Sequence, residues 1–115
     1  MSKWHRVNLI DMLNLKARLL EELQKIDGIE DRPSPVSGGS ALFYKGKEFA
    51  HFHNANELDL RLTSKVIKAQ GLSHPEDSLH HPSRSRNSPW IELRFTTTND
   101  MKKLAALVKL AVAEL

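Results

Sequence analysis

The sequence predicts an α+β two-layer sandwich, in which a four-stranded, mainly antiparallel sheet carries both long helices on one face, in the order α-β-β-β-α-β-α. Three observations lead there. Residues 8–26 and the last 18 or so repeat apolar side chains at helical spacing, while three segments between them alternate apolar and polar residues, the period of a half-buried strand. At 115 residues, 40% hydrophobic and 27% charged, the chain fits one domain able to bury its own core. Two amphipathic helices need one apolar sheet face to cover, which leaves the other face polar.

Asn8 is placed to cap the first helix, with Asp11 three residues on and Val7 and Met12 stapled across the cap. Leu9, Met12, Leu13, Leu19, Leu20, Leu23 and Ile26 make its stripe, Lys16, Arg18, Glu21 and Glu22 its wet side, and Gly28 its stop. The stripe lasts under three heptads, so it suits packing on a sheet better than a coiled coil. Asp31 to Ser40, with two prolines and two glycines, reads as a connector and lacks the Gly-x-x-x-x-Gly-Lys-Ser/Thr pattern of a phosphate loop.

Ala41 to Lys45 and Glu48 to His53 flank Gly46-Lys47, whose Gly-x chemistry suits a type II′ hairpin. In Glu57 to Leu62, Leu58, Leu60 and Leu62 share one face and Glu57, Asp59 and Arg61 the other. A three-residue turn at Asn54-Ala55-Asn56, the favoured choice, pairs His53 with Glu57 and His51 with Asp59, and sets both imidazoles on the polar face. A turn of two or four residues sends them to the core instead. Thr63 or Ser64 caps a short helix running to Gln70 and stopped by Gly71. Residues 72–89 follow, a loop with three prolines and three histidines, and loops of this length in compact domains carry function or move. Trp90 to Phe95 is the last strand. Thr98 or Asn99 caps a final helix whose stripe is Met101, Leu104, Val108, Val112 and Leu115.

Composition removes several kinds of chemistry. Without cysteine there is no disulfide, thiolate nucleophile or zinc finger, and no serine sits in a Gly-x-Ser-x-Gly pattern. No segment approaches the roughly 18 apolar residues of a membrane span, and the first residues lack a signal peptide's apolar run, so a cytoplasmic protein without a membrane partner is expected. The charge of +3 arises in residues 63–115, which hold eight basic against five acidic side chains. Arg84 and Arg86 in the long loop and Lys102 and Lys103 at the last helix are its only clusters. They are candidates for phosphate contact with a nucleic acid, or simply solvated charges.

The sharper candidates gather around the central hairpin. His51 and His53, two apart on a strand, share a face and offer two ligands to a divalent ion, with Asp59 or a loop histidine as the third. His51, His53, Asp59, Trp90 and Arg94, with His74 and His81 from the loop, would also line a binding surface for a small molecule or protein on an open sheet face. The sequence specifies no cofactor and no oligomeric state.

Lys47-Glu-Phe-Ala-His-Phe-His53, Glu57-Leu-Asp-Leu-Arg-Leu62, Gly71, a His-Pro and Trp90-Ile-Glu-Leu-Arg-Phe95 together resemble the family known as the luciferase domain, over residues 32–112. The resemblance implies a small domain of that family and no light emission. The family's Gly-Trp becomes Gly71-Leu72 here, and His74-Pro75 and His81-Pro82 both offer its His-Pro, so His51 and His53 are the positions that carry over. The order of elements, with the Gly-Lys-x-Phe hairpin and the tryptophan-led strand, is also similar to the frataxin-like sandwich of the MmcQ/YjbR group, in which DNA contact is suspected.

Overall fold

The computed structural model describes residues 9–34 and 39–115. The elements are α1 (Leu9–Leu23), β1 (Ile29–Pro33), β2 (Ser40–Tyr44), β3 (Lys47–Asn54), β4 (Glu57–Arg61), α2 (Ser64–Ala69), β5 (Trp90–Arg94) and α3 (Thr98–Ala113). The five strands form one antiparallel sheet in sequence order. The expected cap at Asn8 and staple from Val7 lie outside the described residues, as do the side chains of Leu9, Asp11 and Met12.

The sheet has five strands where the sequence predicts four, and the order becomes α-β-β-β-β-α-β-α. The extra strand, β1, begins at the residue after Gly28 and takes in the first part of the supposed connector. Ile29 is its single buried residue and the next four are exposed, so neither alternation nor β-branched content marks it. It pairs with β2 through its backbone, and its place at the sheet edge accommodates Pro33 and a row of charges.

Two turns also differ from expectation. The β2–β3 hairpin turns at Lys45-Gly46, one residue earlier than Gly46-Lys47, and φ is +49° and +86°, the type I′ combination in place of II′. Between β3 and β4 the turn is Ala55-Asn56, with the Asn54 side chain accepting the Asn56 N–H at 2.9 Å. A two-residue turn alone would exchange the faces. A bulge between Phe52 and Asn54 absorbs His53 and restores them, so that Asn54 opposes Glu57, Phe52 opposes Leu58 and His51 opposes Asp59. The predicted pairing of His51 with Asp59 is present, whereas His53 is the unpaired residue of the bulge.

Leu42, Ala50, Phe52, Leu58, Leu60 and Ile91 join Leu15, Leu19 and Leu23 of α1, Ile67 of α2 and Met101, Leu104, Val108 and Ala111 of α3 in one hydrophobic cluster. α1 and α3 also meet each other, and Arg18 Nη1 reaches Thr98 Oγ1 at 3.4 Å. Thr63 caps α2, and Thr97, one residue before the expected Thr98 or Asn99, caps α3. The Thr97 hydroxyl accepts the Asp100 N–H at 3.0 Å, and the Asp100 carboxylate accepts the Thr96 N–H at 3.0 Å. That bond from Thr96 is the largest cause holding the Asp100 carboxyl below its ordinary range. Among the described residues no helix is long and apolar enough to cross a membrane.

The polar sheet face is not the open surface that the sequence suggested. Side chains from residues 77–84 reach across it, and Asp59 and Glu92 are 1% and 2% exposed.

Leu60 is wholly buried in the cluster while Leu13 is half exposed. Leu60→Ala is expected to cost roughly 2–5 kcal/mol in denaturant unfolding and Leu13→Ala under about 0.5 kcal/mol. Equal effects at the two positions would contradict this core.

Candidate metal centre

Antiparallel pairing sets Asp59 of β4 between His51 of β3 and Glu92 of β5. Carboxylates directly opposed across strands repel, and burial strips them of water. The loop supplies their partners. Arg84 lays its guanidinium along Asp59, with Nη1 on Oδ1 and Nη2 2.8 Å from Oδ2. Ser78 Oγ donates to Glu92 Oε1 at 2.9 Å and accepts the His81 N–H at 2.9 Å. Arg94 lies near Glu57 and Glu92 and reaches Asp77 of the loop at 3.0 Å. Polar bonds thus pin the loop, which explains why so few of its residues are apolar.

Fastening the loop brings His81 against the strand histidines. Asp59 Oδ2 lies 3.4 Å from His51 Nε2 and 3.4 Å from His81 Nε2, and His81 Nε2 lies 3.2 Å from His53 Nε2. One donor atom from each of His51, His53, Asp59 and His81 falls within 4.8 Å of all the others. His81 is the most exposed of the four, so the cluster opens toward solvent on its side.

The outward nitrogens of the strand histidines face carboxylates. His51 Nδ1 is 3.6 Å from Glu48 Oε2, and His53 Nδ1 stands 3.8 Å from Glu57 Oε2 and 3.7 Å from Glu92 Oε1. Among the described residues both nitrogens are buried without a hydrogen bond, and the carboxylates they face are of the kind that orient metal-bound imidazoles. The His51 ring packs 5.4 Å from Trp90, and the His53 ring stacks on His80 at 4.2 Å. Burial, then the neighbouring His80, pushes His53 below the ordinary imidazole value. Burial does the same to His81, with Arg84 adding to it and Asp59 opposing it. The neutral imidazoles so favoured are the form that binds a metal.

Of the residues singled out in the sequence, His51, His53, Asp59 and His81 meet, Trp90 borders them, and Arg94 is engaged with Glu57, Glu92 and Asp77. His74 lines a separate cleft with Arg84 and Arg86. Arg84, grouped by sequence with a basic surface, is buried against Asp59, and Lys102 and Lys103 belong to α3 on the opposite side of the sheet. The two basic pairs therefore do not form one surface. Sequence reading missed Arg84 as the partner of Asp59, Ser78 as the partner of Glu92, and Glu48 as a neighbour of His51. The β4–β5 register would have placed Glu92 beside Asp59, but the loop contacts have no sequence signal.

Removing Arg84 leaves the Asp59 charge buried and unpaired. Arg84→Ala is expected to lose roughly 3–5 kcal/mol and to speed hydrogen exchange across 78–84, and Asp59→Asn in the same chain should recover part of the loss. Unchanged exchange in the loop would show that the pair does not hold it.

His53, His74 and His81 all lie below their ordinary value of 6.5, with burial the largest cause in each. The unfolded chain takes up these protons near 6.5 and the folded chain only at lower pH, so the stabilisation is complete above 6.5 and is lost as pH falls through the folded values. Unfolding free energy should therefore decline from about pH 7 to about pH 5. It should decline less in a His53→Gln, His81→Gln chain, and identical slopes would contradict the assignment.

A family model described as Luciferase domain matches residues 46–111. The match begins at Gly46, later than the resemblance read from the sequence, and takes in every residue of the cluster. No curated protein and no solved structure matches the chain.

Proposed function

We propose that this chain, which belongs to the Luciferase domain family, is a metal-binding domain whose centre is made by His51, His53 and His81 with Asp59 beside them. The observation that carries the reading is the spacing of the donor atoms. Metal bonds of about 2.0–2.1 Å in tetrahedral array set ligand atoms about 3.3–3.4 Å apart. Three of the separations match that edge, His51 Nε2 to Asp59 Oδ2 at 3.4 Å, His81 Nε2 to Asp59 Oδ2 at 3.4 Å and His81 Nε2 to His53 Nε2 at 3.2 Å, and all four donor atoms lie within 4.8 Å of one another, while both imidazole–carboxylate distances are longer than a good hydrogen bond.

Imidazole and carboxylate donors suit a borderline divalent ion, Zn²⁺ above all among those without redox chemistry. The three imidazoles and Asp59 Oδ2 would hold the ion, and because Asp59 also binds Arg84 with both oxygens its bond would be the weakest of the four and the one that water or a substrate atom displaces. A metal held there would acidify a water bound in that place, and Asp59 would accept a hydrogen bond from it. The reading is therefore a metal-assisted reaction on, or recognition of, a small molecule that enters beside His81.

Chelator-stripped protein titrated with Zn²⁺ is expected to bind one equivalent. His51→Ala and His81→Ala should each weaken binding by more than the 10–100-fold typical of losing an outer partner, and Glu48→Gln should fall within that range. No stoichiometric binding, or affinity indifferent to His51→Ala, would overturn the reading and leave the cluster as a polar fastening for the loop.

A further inference from the structure

A second recess lies between α2 and residues 72–86, with a volume of about 530 Å³. Its size is that of a small-molecule site. Ile67 and Leu72 contribute apolar surface, and Lys68, His74, Arg84 and Arg86 contribute nitrogens, against a single carboxylate at Glu76. Arg86 is exposed and forms no ion pair among the described residues. Lys68 is held in place by Asn87, whose Oδ1 accepts from Nζ at 3.1 Å. Cations that outnumber the carboxylate beside an apolar wall are together complementary to one kind of ligand.

We propose that this cleft binds a small organic anion, a carboxylate or phosphate ester on an apolar body. The charged end meets Arg86 and Lys68 with the His74 ring beside it, and the apolar end lies on Ile67 and Leu72. Arginine forks and ammonium groups recognise such anions through charge-assisted hydrogen bonds. The inference is independent of the metal reading, because Lys68, His74 and Arg86 are outside the histidine cluster and the site needs no ion. Arg84 borders both, but its Nη1 and Nη2 are already engaged by Asp59, so Arg86 and Lys68 are the cations left to the cleft.

The test is an amide-shift titration of the full chain in chelator with phenyl phosphate, phenylacetate and the uncharged benzyl alcohol. Saturable shifts at residues 67–74 and 84–86 with at least one of the anions, and binding at least about tenfold weaker for benzyl alcohol, are the expected result. Which anion binds tighter distinguishes phosphate from carboxylate. Arg86→Gln and Lys68→Gln, both at exposed positions that should leave folding intact, are each expected to weaken the anion about tenfold, the worth of one charged hydrogen bond. No saturable shift with either anion, equal binding of benzyl alcohol, or unchanged affinity in both variants would overturn the proposal. A Zn²⁺ titration of the same protein after chelator removal reads the histidine cluster separately, so failure at one site is not mistaken for failure at the other.

Discussion

Two carboxylates, Asp59 and Glu92, sit side by side on adjacent strands beneath a loop, and much of the molecule follows from making that burial tolerable. The alternation of β4 drives Leu58 and Leu60 into the core and leaves Asp59 on the other face. A buried charge requires a partner, and Arg84 and Ser78 bring the long loop down to supply partners for the two acids. With the loop down, and the His81 N–H held by Ser78, the His81 ring lies beside His53 and Asp59. The polar cluster and the lid that closes it are thus one feature.

Stability alone does not account for this arrangement. Buried ion pairs are often no better than apolar groups of the same volume, and opposed carboxylates are worse. His51, His53 and His81, none with a carboxylate at good hydrogen-bond distance, add desolvation without an evident structural return. A face built only to hold a loop would be served by leucine and valine. Its polarity is in keeping with the proposal that the donors bind an ion, for which the spacing of their atoms matters more than their number.

The helices, β3 to β5 and the division of the sheet into an apolar and a polar face were legible in the sequence because each rests on periodicity. β1 was not, since Glu30, Asp31, Arg32 and Pro33 carry no pattern and are held by backbone bonds alone. The register at His51 was legible, though for a different local reason. The sequence reading weighed turn length as the deciding variable, and the structure combines a shorter turn with a bulge at His53, which no single-residue signal announces. His51, His53 and Asp59 were visible as a candidate set through alternation. The choice of His81 over His74 depends on how the loop crosses the sheet, which is set by Arg84 and Ser78, residues whose types are ordinary in any exposed loop.

The central claim is that three imidazoles converge on one metal position. X-ray absorption at the zinc edge of the protein loaded with one equivalent of Zn²⁺ tests it most directly. The account predicts nitrogen and oxygen neighbours at about 2.0–2.1 Å with outer-shell scattering from three imidazole rings. A shell of oxygen alone, or one with at most a single imidazole, would contradict it.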